Sequence, residues 1–323
     1  MSAADSFVTT LSRLLGPGFV EVLEDSSVTE LYAVEGESSL WVDSRLCGRG
    51  PSSLSISPAQ VEMFLNAAAT ARGVEFSPRS PVLEVELPEG LGRLEGFLPP
   101  VVAQPLFVLR KPSPEVIPLA RLVAEAFLPE SVAERLRWAL VEHRTVLVVG
   151  GTGTGKTTFL NSLLAELSGL CPDERIAVLE DTPEILCRAR DRIHLRTVRG
   201  LGLDLYALLD AVLRASPHRI VVGEVRDGSA LAMLDAWNTG HPGGLATLHA
   251  NTCADALLRL STLVERANVP REPRLIAATV SLIARLAGTN LRTRHLAELV
   301  RVRGYDASTD RFELETLYER SST

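Results

Sequence analysis

Lysine is nearly missing from this 323-residue chain: all but two of its 33 basic residues are arginine, the exceptions being Lys111 and Lys156. A chain so biased keeps a lysine where a compact, three-donor ammonium is needed and a planar guanidinium would not fit. Cysteine is scarce as well. Cys47, Cys171, Cys187 and Cys253 stand at irregular spacings with no Cys-x-x-Cys pair. That excludes a zinc ribbon and a disulfide framework and fits a reducing, cytoplasmic compartment. No uncharged apolar run approaches the ~18 residues that a membrane-spanning helix needs; the Val280–Gly288 run, for example, is broken by Arg285. The first residues carry no basic flank followed by an apolar run, so no secretion signal is expected. Any membrane association would be peripheral or through partners. Excess positive charge is also lacking. The formal net charge is −7, and no stretch mixes aromatic with basic residues, so direct binding to nucleic acid is not expected.

What is present is a phosphate-binding pattern. Thr145 to Val149 is a short apolar or β-branched run, followed by Gly150-Gly151-Thr152-Gly153-Thr154-Gly155-Lys156-Thr157-Thr158. This fits Gly-x4-Gly-Lys-[Ser/Thr]. Glycines let the backbone turn tightly and aim N–H groups at clustered phosphate oxygens, and the following helix adds its positive dipole end. Lys156 is the expected partner of the β and γ phosphates, and the Thr157 hydroxyl of Mg²⁺. Phe159, Leu160, Leu163, Leu164 and Leu167 continue at helical spacing.

Composition at 46% hydrophobic and 23% charged residues is that of a soluble globular protein long enough for two domains. Residues 6–23 read as a short helix broken by Gly16-Pro17. Leu31–Val34 and Leu40–Val42 flank a hairpin turn, Pro58–Ala71 reads as a helix, and Val82–Leu87 and Arg93–Leu98 as alternating strands. Prolines then cluster at 99, 100, 105, 112, 114 and 118. This Pro-rich stretch is read as a linker, with the junction at about residue 111: an N-terminal α+β domain over 1–111 and a larger P-loop domain over 112–323. Helices are expected near 115–127 and 131–143, the latter capped by Ser131. After these, strands at 145–149, 175–179, 193–196, 219–222 and 245–248 alternate with helices at 156–168, 204–215, 228–238 and 254–267. Such repeated units imply a mainly parallel α/β sheet. Segments 280–286, 296–302 and 312–317 are expected to form an antiparallel appendage.

In parallel sheets ligands bind beyond the carboxyl ends of the strands, so polar residues there are the candidates. Glu180-Asp181-Thr182-Pro183-Glu184 follows one strand, its carboxylates able to hold Mg²⁺ or take a proton from water. Glu224, after Gly223, follows another, as a group to bind Mg²⁺ or orient water in line with the γ-phosphate. His241 and His249 flank a third strand as candidates for γ-phosphate sensing or interface relay. No Asn-Lys-x-Asp pattern is present, which favours ATP over GTP.

Four motifs in order resemble the secretion ATPases of type II and type IV systems: the P-loop Gly150–Thr157, an acidic box Val178–Glu184, a degenerate Walker B Arg219–Arg226, and a histidine box Thr239–Asn251. The close match covers residues 130–290, with a weaker one through Gly92-Arg93, Leu98-Pro99-Pro100 and Val108-Leu109-Arg110. The phrase Ala236–His241, the compact N-terminal part and the lack of a four-cysteine insert and of an Ala-Ile-Arg-Asn-Leu-Ile-Arg-Glu motif make the conjugative-transfer branch the nearest resemblance. Before the Walker B strand the family often reads Arg-x-Arg-Pro-Asp-Arg, whereas this chain has Arg214-Ala215-Ser216-Pro217-His218-Arg219. The resemblance implies a RecA-like P-loop motor domain, a PAS-like N-terminal domain, a homo-hexamer with ATP and Mg²⁺ at the domain interface, and inner-membrane channel components as partners. It also implies that Arg93 and Arg110 reach the nucleotide phosphates, and it favours Glu184 as base with Glu224 serving Mg²⁺ and water. Two carboxylates therefore stand as alternatives for the base. The expected activity is ATP hydrolysis driving conjugative transfer. Pilus assembly of type IV or Tad-like kind, a nucleic-acid translocase and a non-hydrolysing ring are the alternatives.

Overall fold

Gly16, at φ +86°, separates two short helices, α1 (Phe7–Leu15) and α2 (Pro17–Glu24), because proline at the first helical position cannot continue the preceding helix. In the computed structural model, which describes residues 6–44, 46–112, 116–198, 201–288 and 293–321, the chain divides into two units, Met1–Pro114 and Glu115–Thr323.

In the first unit α1 and α2 are followed by β1 (Val28–Ala33), β2 (Ser39–Ser44), β3 (Gly48–Ser55), α3 (Pro58–Arg72), β4 (Val82–Glu86), a one-turn 3₁₀ segment (Pro88–Gly90), β5 (Arg93–Phe97) and β6 (Leu106–Arg110). The strands form one sheet in the order β3-β2-β1-β6-β5-β4, with every neighbouring pair antiparallel. A capping box, Ser57 with Gln60, starts α3, and Gly73 at φ +64° ends it. The buried side of α3 carries Val61, Phe64, Leu65 and Ala68, with Phe64 edge-on to Phe107 at 4.9 Å and tilted against Phe19 at 5.5 Å.

Two strands here escape sequence reading. β3 is rich in serine and glycine and contains Pro51, a composition tolerated because it is the edge of the sheet. β6 lies within the stretch read as a linker, yet it pairs with β1 on one side and β5 on the other. The prolines at 105 and 112 stand just outside it, so they delimit a central strand instead of marking an extended connector. The reading of 99–118 as a linker is corrected accordingly.

The second unit contains α4 (Leu119–Ala124), α5 (Glu130–Val141), β7 (Val146–Val149), α6 (Lys156–Leu170), β8 (Ile176–Glu180), β9 (Arg192–Arg196), α7 (Leu205–Leu213), β10 (Arg219–Val222), α8 (Ser229–Asn238), β11 (Leu245–Leu248), α9 (Cys253–Glu265), α10 (Pro273–Thr279), β12 (Leu282–Ala287), β13 (His295–Asp306) and β14 (Arg311–Glu319). The sequence reading starts its first helix at 115, which lies outside the described residues, and α4 begins at Leu119. Ser131 is not the cap of α5: Pro129 holds that position, and its carbonyl accepts from Val132 and Ala133.

One eight-stranded sheet runs β14-β13-β12-β7-β11-β10-β8-β9. From β12 to β9 all neighbours are parallel, and only β12–β13 and β13–β14 are antiparallel. The expected antiparallel appendage is thus half right. β12 belongs to the parallel sheet, beside the P-loop strand, because period-2 patterning identifies a strand but not its partner. β7, β8, β10 and β11 are buried along their whole length, and helices supply apolar side chains to two core clusters around them.

At the amino edge of this sheet stands a fully buried arginine. Arg219 opens β10, and its guanidinium makes a paired contact with Glu174 (2.7 and 3.2 Å) and donates to the carbonyls of Leu140 (2.8 Å) and Gly243 (3.3 Å). The Gly243-Gly244 pair is what lets it fit. A Cβ on Gly243 would lie 2.0 Å from Arg219 Nη1, and one on Gly244 would lie 1.9 Å from Trp237 Nε1, whose N–H donates to Ile220 O at 3.0 Å. Substituting Arg219→Leu removes the partner of a largely buried carboxylate and leaves two carbonyls without a donor. The expected cost is about 3–5 kcal/mol, read as a lower melting temperature for the second unit of the full chain. An unchanged melting temperature would refute the structural role of this arginine.

Candidate functional site

Four apolar residues at zero exposure, Val146 to Val149, deliver the chain to the P-loop. The loop turns on glycines, and Gly155 at φ +90° sets the start of α6, where the side chain of Arg294 would sit 3.5 Å from any Cβ. Thr152 and Gly153 are exposed at the crest, Thr157 and Thr158 are half-buried in the first turn of α6, and Thr154 is buried with its hydroxyl donating to Gly151 O at 2.9 Å. The first-turn N–H groups of a 15-residue helix therefore face the loop. Lys156 is 8% exposed, and its Nζ donates to the carbonyls of Gly150 (3.1 Å) and Gly151 (2.9 Å).

The parallel order β7-β11-β10-β8 brings the expected residues of three further motifs to the same edge. His249, just past β11, has Nδ1 at 3.3 Å and Nε2 at 3.4 Å from Lys156 Nζ, and its Nε2 is 3.1 Å from Glu224 Oε1. The near-equal distances place Lys156 Nζ across the ring and not on one nitrogen's lone pair, while Nε2 is placed to donate to Glu224. Burial, then the nearby Lys156 charge, lower the titration of His249, against the opposing pull of Glu224. Glu224, after β10, accepts from Arg226 Nη2 at 2.5 Å. Burial alone would raise its pKa, but the Arg226 hydrogen bond and charge, with His249 and Lys156, hold it below the usual carboxylate value. Lysine, histidine and glutamate thus form one connected chain from P-loop to Walker B strand.

Arg226 was not singled out from sequence. Beyond its bond to Glu224 it feels the charges of Asp181 and Glu184, and all three carboxylates raise its pKa. The charge of this guanidinium therefore bears on both the acidic box and the Walker B strand. Its signal was its place two residues after Glu224, which in a chain so rich in arginine carried little information.

The three carboxylates of the acidic box have different employment. Glu180, proposed from sequence as a metal ligand, is 3% exposed, and its Oε2 accepts from the backbone N–H of Glu184 (2.9 Å) and Ile185 (3.0 Å), while Oε1 is 2.6 Å from His194 Nε2. That carboxylate shapes the turn, and the expectation of a metal role for it is corrected. Asp181 is exposed and accepts from the Thr197 hydroxyl at 2.9 Å. Glu184 is half-buried, its backbone held on both sides.

His241, expected from sequence to sense the γ-phosphate or serve an interface relay, lies apart from the P-loop. It precedes β11, whereas His249 follows it, so the strand separates the two by roughly 13 Å. Its Nδ1 donates to Pro217 O at 2.7 Å, next to the Arg219 network. Within this chain it serves the amino edge of the sheet and does not approach the P-loop. Arg93 and Arg110 stand in the first unit, opposite each other on paired strands β5 and β6, with Arg93 bonded to Glu84 and 3.6 Å from Glu95. Among the described residues no group of three or more His, Cys, Asp or Glu is arranged to hold a metal by itself. Open clefts of about 570 and 420 Å³ include none of the P-loop residues, since a phosphate nest is a shallow turn of backbone.

Residues 81–309 match the family model described as "Type II/IV secretion system protein". The chain is 37% identical over 309 residues to the "Probable conjugal transfer protein TrbB" of Sinorhizobium fredii, covering 96% of this chain and 93% of that one. It is 36% identical over 298 residues to the "Conjugal transfer protein TrbB" of Rhizobium radiobacter, covering 92% and 91%. Among solved structures, the Legionella pneumophila ATPase DotB superposes with a TM-score of 0.60 at 19% identity, covering 98% of this chain and 82% of that one, which shows likeness of fold.

The lowered titration of His249 has a signed consequence. The unfolded chain takes up this proton first as pH falls below the ordinary value of 6.5. Stability is therefore full above that pH and is lost as acidification proceeds through the folded-state value. Melting temperature measured against pH should fall less steeply below 6.5 in His249→Gln than in the unsubstituted protein. Equal slopes would mean that His249 is not held neutral by burial and by Lys156.

Proposed function

The chain belongs to the type II/IV secretion system protein family, and we propose that it is the ATP-hydrolysing motor of a conjugative type IV secretion system, working as a homo-hexamer with inner-membrane components of the transfer channel. The observation that carries this reading is the link from Lys156 through His249 to Glu224, which Arg226 extends by a hydrogen bond to Glu224. The relatives named for conjugal transfer span nearly the whole chain, which favours transfer over pilus assembly alone. Among the described residues no helix is long and apolar enough to cross a membrane, so attachment to the membrane would run through partners or be peripheral.

In this reading the loop Gly150–Thr158 cradles the phosphates. Lys156 exchanges the carbonyls of Gly150 and Gly151 for phosphate oxygens, a trade that favours the charged acceptor. Mg²⁺, when bound, would supply positive charge to offset that of the phosphates. The residues that would hold it are Thr157, in the first turn of α6, and Glu224, whose carboxylate is held below the usual value and would exchange His249 or Arg226 for the ion. Asp181 would be a further candidate ligand. Glu184 orients or deprotonates the attacking water. His249 stands between the lysine and Glu224, so a change in one's hydrogen bonding is passed to the other. Arg93 and Arg110, opposite each other on neighbouring strands, are the further basic residues assigned to the nucleotide phosphates in this reading.

Lys156→Ala is expected to lower ATP turnover roughly 10²-fold or more while the protein stays folded. Glu184→Gln and Glu224→Gln should retain nucleotide binding and lose turnover, and Arg93→Ala or Arg110→Ala should weaken nucleotide affinity. Phosphate release and fluorescent-nucleotide titration measure these effects. In cells, the Lys156→Ala allele should fail to restore mating transfer to a deletion strain. Normal hydrolysis by Lys156→Ala would end the P-loop assignment, and normal transfer would separate the ATPase from conjugation.

A further inference from the structure

Asn161 is a polar residue at 3% exposure on α6, the helix that begins with Lys156. Its neighbours Phe159, Leu160, Leu163 and Leu164 are all buried, so helix packing alone gives no reason for a carboxamide there. A buried amide is costly unless both ends are bonded. Here both are: Nδ2 donates to the carbonyl of Glu184 at 2.9 Å and Oδ1 accepts from the N–H of Leu186 at 2.9 Å. A carbonyl on one side and an N–H on the other fix the orientation of the amide. The same turn is gripped from beneath by Glu180, which accepts from the N–H of Glu184 and of Ile185 and is itself held by His194. The peptide groups that flank Glu184 are thus tied at once to the phosphate-binding helix and to β8.

We propose that Asn161 is a positioning residue for hydrolysis: it couples α6 to the turn at 184–186 and so fixes where the Glu184 carboxylate stands relative to Lys156 and Thr157. This rests on the reading of Glu184 as the group that orients or deprotonates water. Any displacement of α6 that accompanies phosphate binding is transmitted to Glu184 through two hydrogen bonds, and small misplacements of a reacting group carry large rate penalties.

The test is a double-mutant cycle on the full chain. Asn161→Ala removes both bonds, and Asn161→Leu does so without leaving a cavity, should the alanine variant fold poorly. Both are combined with Glu184→Gln, and kcat, nucleotide affinity and melting temperature are measured. The expected result is a kcat lowered roughly 10- to 100-fold with unchanged affinity for a non-hydrolysable ATP analogue, and no further loss of kcat when Asn161 is replaced in the Glu184→Gln background. Losses that multiply across the two sites would overturn the positioning role and leave Glu184 its function. A raised KM with unchanged kcat would overturn it too, by making Asn161 a support for nucleotide binding. Wild-type kcat in Glu184→Gln itself would overturn the reading of Glu184, and the role of Asn161 with it.

Discussion

Parallel pairing of β7 with β11 and of β11 with β10, continued to β8, is the constraint on which the site depends. Parallel strands must all end on the same edge, so the loops after them open together however far apart they lie in the chain. Lys156 and His249 stand 93 residues apart yet meet within 3.3 Å. The short strands, buried on both faces, leave almost no freedom of register. The geometry at their ends is therefore inherited from the core.

The two edges of the sheet divide the histidine box between them. Its last residues, with His249, belong to the chemical edge. Its first residues, His241 and Gly243-Gly244, belong to the opposite edge, where they close around Arg219 and Trp237. A motif read as one functional unit is thus two pieces joined by β11. The glycines here answer a packing demand, in contrast to those of the P-loop, which answer the need for a turn of exposed N–H groups. Arg219 shows why the edge is costly to disturb: its charge is acceptable in the interior only because Glu174 and two carbonyls surround it.

Charge at the working edge is closely matched. Arg226 holds Glu224 below the usual carboxylate value, burial and Lys156 lower the titration of His249, and the charge of Arg226 bears on carboxylates from two motifs. Glu180, though acidic and in the box, is spent on backbone N–H groups. Position within a motif did not distinguish it from Glu184. What distinguishes them is burial: Glu180 is enclosed and bonded to backbone N–H groups, whereas Glu184 is half-buried.

The sequence by itself determined the elements and the chemistry of the P-loop. Apolar runs of four or five residues bounded by glycine and charge are too short for helices and read as buried strands, and Gly-x4-Gly-Lys-Thr carries its own local geometry in a turn and a helix start. The alternation of β7, α6, β8, α7, β10, α8 and β11 followed from the same local signals. Tertiary structure alone decided that β6 is a central strand between its prolines and that β12 pairs parallel with β7. It alone decided that Glu180 is bonded to backbone N–H groups, that His241 bonds to Pro217, and that Asn161 ties the acidic box to α6. The physical reason is common to all of these. Local periodicity and turn chemistry act within a few residues, whereas the partner of a strand edge or of a buried polar atom is chosen by whichever distant segment the packing brings within 3 Å or so.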